Sequence, residues 1–163
     1  MHLIQAASDP SLLASSELAG HPLLADALAE PSPKIVETCR IARELARAGH
    51  KCVIWSYFVR AVEHLADLLQ DLRAEYIHGG VDTTPDETVT DSREAKIRRF
   101  HDDPSCMVLI ANPAACSESI SLHRVCHHAV YVDRTYNAAQ YLQFYKQSFT
   151  RAFTSGQFTS RFP

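Results

Sequence analysis

Residues Val108 to Gln143 read V-L-I-A-N-P-A-A-C-S-E-S-I-S-L-H-R-V-C-H-H-A-V-Y-V-D-R-T-Y-N-A-A-Q-Y-L-Q, and this stretch decides the fold. An apolar strand (Val108, Leu109, Ile110) runs into a loop of small residues. A polar turn (Ser117, Glu118, Ser119) follows. A second apolar run (Ala129, Val130, Tyr131, Val132) then ends in Asp133. Two short apolar strands joined by a polar loop fit an open α/β sheet, in which loops at the carboxyl ends of adjacent strands bind ligands.

The same grammar extends upstream. Ser32-Pro33 is a helix start, with Ser at the cap and Pro at the first helical position. Ile35, Cys39, Ala42, Leu45 and Ala46 continue it at helical spacing, and Gly49 supplies a C-terminal stop. Lys51 to Trp55 reads as a buried strand, and Phe58, Val62, Leu65, Leu69 and Leu72 form the stripe of the next helix. Glu75 to His78 is a second strand, closed by Gly79-Gly80. An acidic, Thr-rich loop (82–90) leads into a helix from Asp91 to His101, with Ile97 and Phe100 inward. Strands follow at 106–110 and 128–132, then a helix from about Asn137.

Continuous apolar strands alternating with helices predict an α/β fold: a parallel sheet with helices on both faces and right-handed crossovers. Residues 1–30 hold short apolar clusters broken by Pro10, Gly20 and Pro22, and are expected to form a short helical N-terminal extension or linker. Residues 31–143 form the domain. Residues 144–163 stand apart as a basic, aromatic tail with five phenylalanines and no acid.

Hydrophobic residues at 46% with only 5 Gly predict an ordered body rather than a disordered chain. No apolar run approaches the ~20 residues that span a bilayer. The N-terminus shows no basic segment followed by an apolar one, so a cytoplasmic protein without a membrane partner is expected. From Lys34 onward the chain carries all 16 basic residues and 15 of the 19 acidic ones, so no bulk field advertises nucleic-acid binding. Five cysteines without a C-x-x-C pair predict no disulfide framework. Cys126-His127-His128 would point neighbouring side chains to opposite faces of a strand, so no metal site is expected there.

Four segments can carry chemistry. Ser56 ends the first strand at a helix start, where amides and a hydroxyl either hold a phosphate or merely cap the helix. Gly79 and Gly80 permit either a tight turn or close approach of another molecule. Arg98 and Arg99 can reach phosphates or line a solvated face. The fourth segment is the opening stretch with its polar turn.

Taken in order, these segments resemble the second lobe of the superfamily-two helicases, specifically the Swi/Snf-type DNA-dependent ATPases. Trp55-Ser56-Tyr57-Phe58 is similar to the family's motif IV, His78 to Thr83 to its glycine loop, and Val108 to Ser121 to motif V. Asp133-Arg134-Thr135-Tyr136-Asn137 resembles its Asp-x-x-Trp-Asn segment, and Gln143 stands where motif VI opens. The run S-L-H-R-V-C-H-H-A-V-Y-V-D-R-T-Y-N is typical of bacterial members. The resemblance spans roughly Pro31 to Gln143. It implies a RecA-like C-terminal lobe with DNA contacts at Ser56, Gly79, Gly80 and Asn112, and nucleotide contacts at Glu118, Ser119 and Ser121. It implies double-stranded DNA and an N-terminal RecA-like lobe, on the same or an adjacent gene product, as partners.

The chain departs from that family at several positions. Ser117 and Ser119 stand where it prefers glycine. After Gln143 it expects Gln-x-x-Asp-Arg-x-His-Arg, and this chain has Lys146, Gln147, Phe149 and Thr150 there. Arginine fingers of this kind contribute roughly 10³ to 10⁵ in rate in related phosphoryl-transfer enzymes. Arg151 lies one residue on, turned by ~100° on a helix. A gene truncated or frame-shifted at motif VI is one expectation. No G-x-x-x-x-G-K-[ST] phosphate loop occurs. No catalytic residue is therefore assigned, and ATP and Mg²⁺ are expected only through a partner lobe. The alternatives are a non-catalytic module that binds nucleic acid or protein, or an inactive gene remnant.

Overall fold

Four short strands lie side by side in one sheet: β1 (Cys52–Trp55), β2 (Glu75–Ile77), β3 (Val108–Ala111) and β4 (His128–Tyr131). Their order is β2-β3-β1-β4, and every neighbouring pair is parallel. Among the described residues three helices accompany them: α1 (Pro33–Arg47), α2 (Val59–Leu68) and α3 (Arg93–Asp102). Single 3₁₀ turns occupy Gln70–Leu72 and Pro113–Cys116. This computed structural model describes residues 32–79, 92–116, 122 and 124–133. The expected N-terminal extension (1–30), the acidic loop and the tail (144–163) lie outside the described residues.

The sheet is buried on both faces, which is why its strands read as unbroken apolar runs rather than alternating ones. Cys52 and Ile54, with Val108 and Ile110, pack against Ile35, Cys39 and Ala42 of α1 and Val62 and Leu65 of α2. Val53 and Trp55, with Leu109 and Ala111, pack on the opposite face against Phe100 and Ile97 of α3, joined by Leu122 and Cys126. The period of two along each strand thus divides the core into two apolar layers. The expectation of a parallel sheet with helices on both faces holds.

Local chemistry sets the helix ends. Ser32 sits at the cap position of α1 with Pro33 first in the helix, but its side chain makes no capping bond. At the other end Gly49 adopts a left-handed φ of 78°. Its amide donates to Ala46 (3.0 Å) and the His50 amide donates to Leu45 (2.9 Å), closing the last carbonyls in a Schellman turn. Helix α3 starts two residues later than Asp91, because the Ser92 hydroxyl accepts the Ala95 amide at 3.2 Å and so caps it.

Polar side chains then fasten helices to the sheet. Arg43 of α1 grips Asp71 with two nitrogens (3.0 and 3.1 Å) and reaches the Leu68 carbonyl at 2.7 Å. Arg99, one of two arginines that could have faced phosphates, instead clamps Glu75 of the edge strand β2 at 2.6 and 3.1 Å. Lys51 donates to the carbonyls of Phe100 (2.5 Å) and Asp103 (2.8 Å), placing a cation at the C-terminus of α3. Lys96 is buried, its ammonium 3.7 Å from the centroid of the Tyr76 ring. A lysine in that position looks solvated from sequence, since only the fold brings Tyr76 over it.

Among the described residues, no helix is long and apolar enough to cross a membrane. A Cβ at Gly49 would meet nothing within 4 Å, so the only penalty for a side chain there is the left-handed backbone. Gly49→Ala is therefore expected to lower stability by about 1 kcal/mol in urea unfolding, and Gly49→Asn by less.

Candidate functional site

Because all four strands are parallel, their carboxyl ends meet at one rim, the edge where open α/β sheets bind ligands. The backbone ladder runs one residue past the strands. Ser56 donates its amide to Ala111 (3.2 Å), Asn112 to Ile77 (2.8 Å) and Val132 to Trp55 (3.0 Å). Ser56, Asn112 and Asp133 are thereby set side by side, all three buried.

Asp133 organises the rim. One carboxylate oxygen accepts the Ser56 hydroxyl at 2.7 Å, and the other accepts the Tyr57 amide at 2.8 Å. The Ser56 oxygen in turn accepts the Phe58 amide at 3.3 Å. From the other flank the Asn112 side-chain amide donates to the Tyr57 carbonyl at 2.8 Å. The Asn112 oxygen accepts the Ala114 amide at 2.9 Å, which opens the Pro113–Cys116 turn. Tyr57 is consequently held at both its N–H and its C=O, by side chains from the two strands that flank β1. Burial pushes the Asp133 carboxyl above the ordinary range, while the Ser56 hydroxyl, the Tyr57 amide and the charge of Lys34 pull it back down. Burial also raises the Tyr57 phenol, and the Asp133 charge adds to that.

Such a turn does not fit a triphosphate. The amides and hydroxyl at this helix start can either hold a phosphate or cap the helix, and the Ser56 hydroxyl and the Tyr57 and Phe58 amides all serve Asp133 or Ser56. The carboxylate behind them adds negative charge where a phosphate would have to sit. No local pattern links the two residues, because Asp133 lies 77 residues from Ser56.

At the opposite, amino end of the sheet, Cys126 is buried. Its sulfur lies 3.3 Å from the Lys51 carbonyl and 3.2 Å from the His128 carbonyl. Burial pushes its thiol up to about 11, so it is a packed and unreactive thiol. The His128 ring packs on His50 with centroids 4.9 Å apart. Among the described residues no group of three or more His, Cys, Asp or Glu side chains could hold a metal ion.

Solved structures resemble this one, among them two ATPase C-terminal domains. The C-terminal part of the Fun30 ATPase domain matches with a TM-score of 0.61 at 20% identity, covering 76% of this chain and 38% of that one. The C-terminal domain of the Sulfolobus solfataricus SWI2/SNF2 ATPase matches with a TM-score of 0.60 at 19% identity, covering 93% of this chain and 67% of that one. The fold is RecA-like. The chain spans little more than a third of the Fun30 structure and about two thirds of the archaeal one. No family model matches the chain, and no curated protein matches it.

On this RecA-like lobe, Ser56, Asn112 and Gly79 share the carboxyl rim. The side chains of Ser56 and Asn112 are turned inward and engaged within the protein. Gly79 is exposed, and a Cβ there would meet nothing within 4 Å, so packing does not require glycine. Gly80, Glu118, Ser119, Ser121 and Gln143 lie outside the described residues. Motif reading placed Tyr57 and Asp133 within matched segments but assigned neither a role, and it missed the bonds between them. The available signal was an acid directly after an apolar strand, in a sheet where a neighbouring strand ends in serine.

Burial sets the direction of the Asp133 shift, against the pull of its partners. A carboxyl raised by burial contributes stability in full below its unfolded value, and that share is lost as pH rises through the folded one. Ser56→Ala removes a donor that lowers it. Carboxyl-carbon NMR titration should therefore place Asp133 above ordinary aspartates in the native chain, and higher still in Ser56→Ala.

Proposed function

We propose that this chain is the C-terminal lobe of a Swi/Snf-type, ATP-dependent DNA translocase or remodeller of bacterial type, working against a separate ATP-binding lobe. One observation carries the proposal. The positions that the motif resemblance assigns to DNA, Ser56, Asn112 and Gly79, fall together on the carboxyl rim of a parallel sheet. That sheet's fold is similar to two C-terminal ATPase domains. With the side chains of Ser56 and Asn112 engaged inside, contact with double-stranded DNA falls to what the rim presents outward. That means the half-exposed Tyr57 and the exposed Gly79.

ATP and Mg²⁺ belong mainly to the partner lobe in this proposal. The chain has no phosphate loop, and the Asp133 rim is unsuited to triphosphate. Glu118, Ser119 and Ser121 are the proposed contacts to the nucleotide when the lobes close. Gln147 and Thr150 stand in the two arginine positions of motif VI, so the charge that stabilises a departing phosphoryl group is missing there.

A second reading, a non-catalytic binding module, draws on one observation of its own: the rim's donors are satisfied internally, without any ligand. The two readings separate in one assay. The chain is mixed with a separately expressed ATP-binding lobe and double-stranded DNA, and phosphate release is measured. The native chain should give no DNA-stimulated hydrolysis. A chain carrying Lys146→Asp, Gln147→Arg, Phe149→His and Thr150→Arg should raise the rate at least ~10³-fold. Full activity of the native chain contradicts the assigned role of motif VI. Silence of the repaired chain, with DNA binding intact, favours the binding module.

A further inference from the structure

Asp133 is the only buried acid among the described residues, and it faces the candidate site. Among the described residues its oxygens accept from a hydroxyl and an amide rather than from an adjacent guanidinium or ammonium, with Lys34 of α1 acting through space. Keeping a carboxylate ionised in such a place is costly, so simple gap-filling does not account for it. A carboxylate does supply two acceptors on one rigid planar group, which no neutral side chain of that length offers. The spacing of those acceptors matches the Ser56 hydroxyl and the Tyr57 amide.

We infer that Asp133 is a positioning residue: from the end of β4 it holds the Ser56 hydroxyl and the Tyr57 amide, and with Asn112 it fixes the turn in which Tyr57 meets nucleic acid. The inference rests on the nucleic-acid reading above and deepens it. The backbone of Tyr57 is clamped from both flanks, by Asp133 at its N–H and by Asn112 at its C=O. Tyr57 as a residue, by contrast, is only partly buried and follows β1 at the carboxyl rim of the sheet. A side chain that must meet a charged, hydrated polymer loses less entropy on binding when its backbone is already fixed. The carboxylate does not touch nucleic acid in this arrangement. It acts through the Tyr57 peptide, and it also keeps phosphate out of the helix start behind that peptide. The contact is thereby directed to the Tyr57 side chain.

The experiment uses the full chain with Asp133→Ala and Asp133→Asn. Two quantities are read: hydrogen exchange of individual amides by NMR, and affinity for a short double-stranded DNA across a salt series. In Asp133→Ala, exchange at the Tyr57 amide should accelerate while the Ile54 and Ile110 amides of the sheet stay protected. DNA affinity should fall about tenfold, the weight of one charge-assisted hydrogen bond. Asp133→Asn keeps an acceptor for the Tyr57 amide, so it should recover most of both and stay within about threefold of the native affinity. If Asp133→Ala does not fold, Ser56→Ala makes the same comparison by removing one of the two bonds.

Three results overturn the inference. Unchanged exchange at Tyr57 means that the carboxylate holds nothing. Faster exchange at Tyr57 with native DNA affinity means that the hold has no bearing on binding. Loss of protection at Ile54 and Ile110 in the asparagine variant as well means a purely structural role. If the native chain binds no DNA while Tyr57 exchange responds as expected, the nucleic-acid reading fails and the positioning role falls with it. That pattern differs from all three.

Discussion

A single buried carboxylate, Asp133, joins the end of β4 to the turn after β1, and the rim of the sheet takes its shape from that junction. The backbone ladder alone would leave the strand ends parallel but their loops free to choose among conformations. With Asp133 on one flank of Tyr57 and Asn112 on the other, the loops after β1, β3 and β4 share one set of hydrogen bonds. Charged hydrogen bonds in a poorly hydrated place are worth more than their solvent-exposed counterparts, and more costly to leave half made. The rim therefore behaves as one unit rather than as three independent loops.

The rest of the fold supports that unit from behind. The two apolar layers hold the sheet flat between α1 and α2 on one side and α3 on the other. Arg99 on Glu75 and Lys51 on the last carbonyls of α3 fix the C-terminal turn of the third helix against the sheet. Arg43 ties α1 to the turn after α2. These surface pairs contribute modestly in energy, yet they limit how far the helices can slide under the rim.

Much of this was legible in the sequence. Unbroken apolar strands such as Val108 to Ile110 announce burial on both faces, and Pro33 and Gly49 mark the ends of α1 because their backbone preferences are local. The α/β class follows from patterns only a few residues long. The rim was less legible, since its bonds connect Ser56 with Asp133 and Tyr57 with Asn112 across distances that no local pattern encodes. Ser56 and Asn112 were singled out from sequence as contacts, and the structure shows their side chains occupied inside the protein. Lys96 escaped for a similar reason: its partner Tyr76 comes to it only through the sheet. Motif resemblance located the right rim, but it could not say which atoms the rim keeps for itself.

The central claim is that Asp133 and Asn112 act on one peptide, and a double-mutant cycle on folding stability measures this most directly. Asp133→Ala, Asn112→Ala and the double variant are compared by urea unfolding. A shared hold on Tyr57 predicts non-additivity of at least ~0.5 kcal/mol, with the double variant less destabilised than the sum of the singles. Additivity within about 0.3 kcal/mol would show two independent contacts and contradict the account.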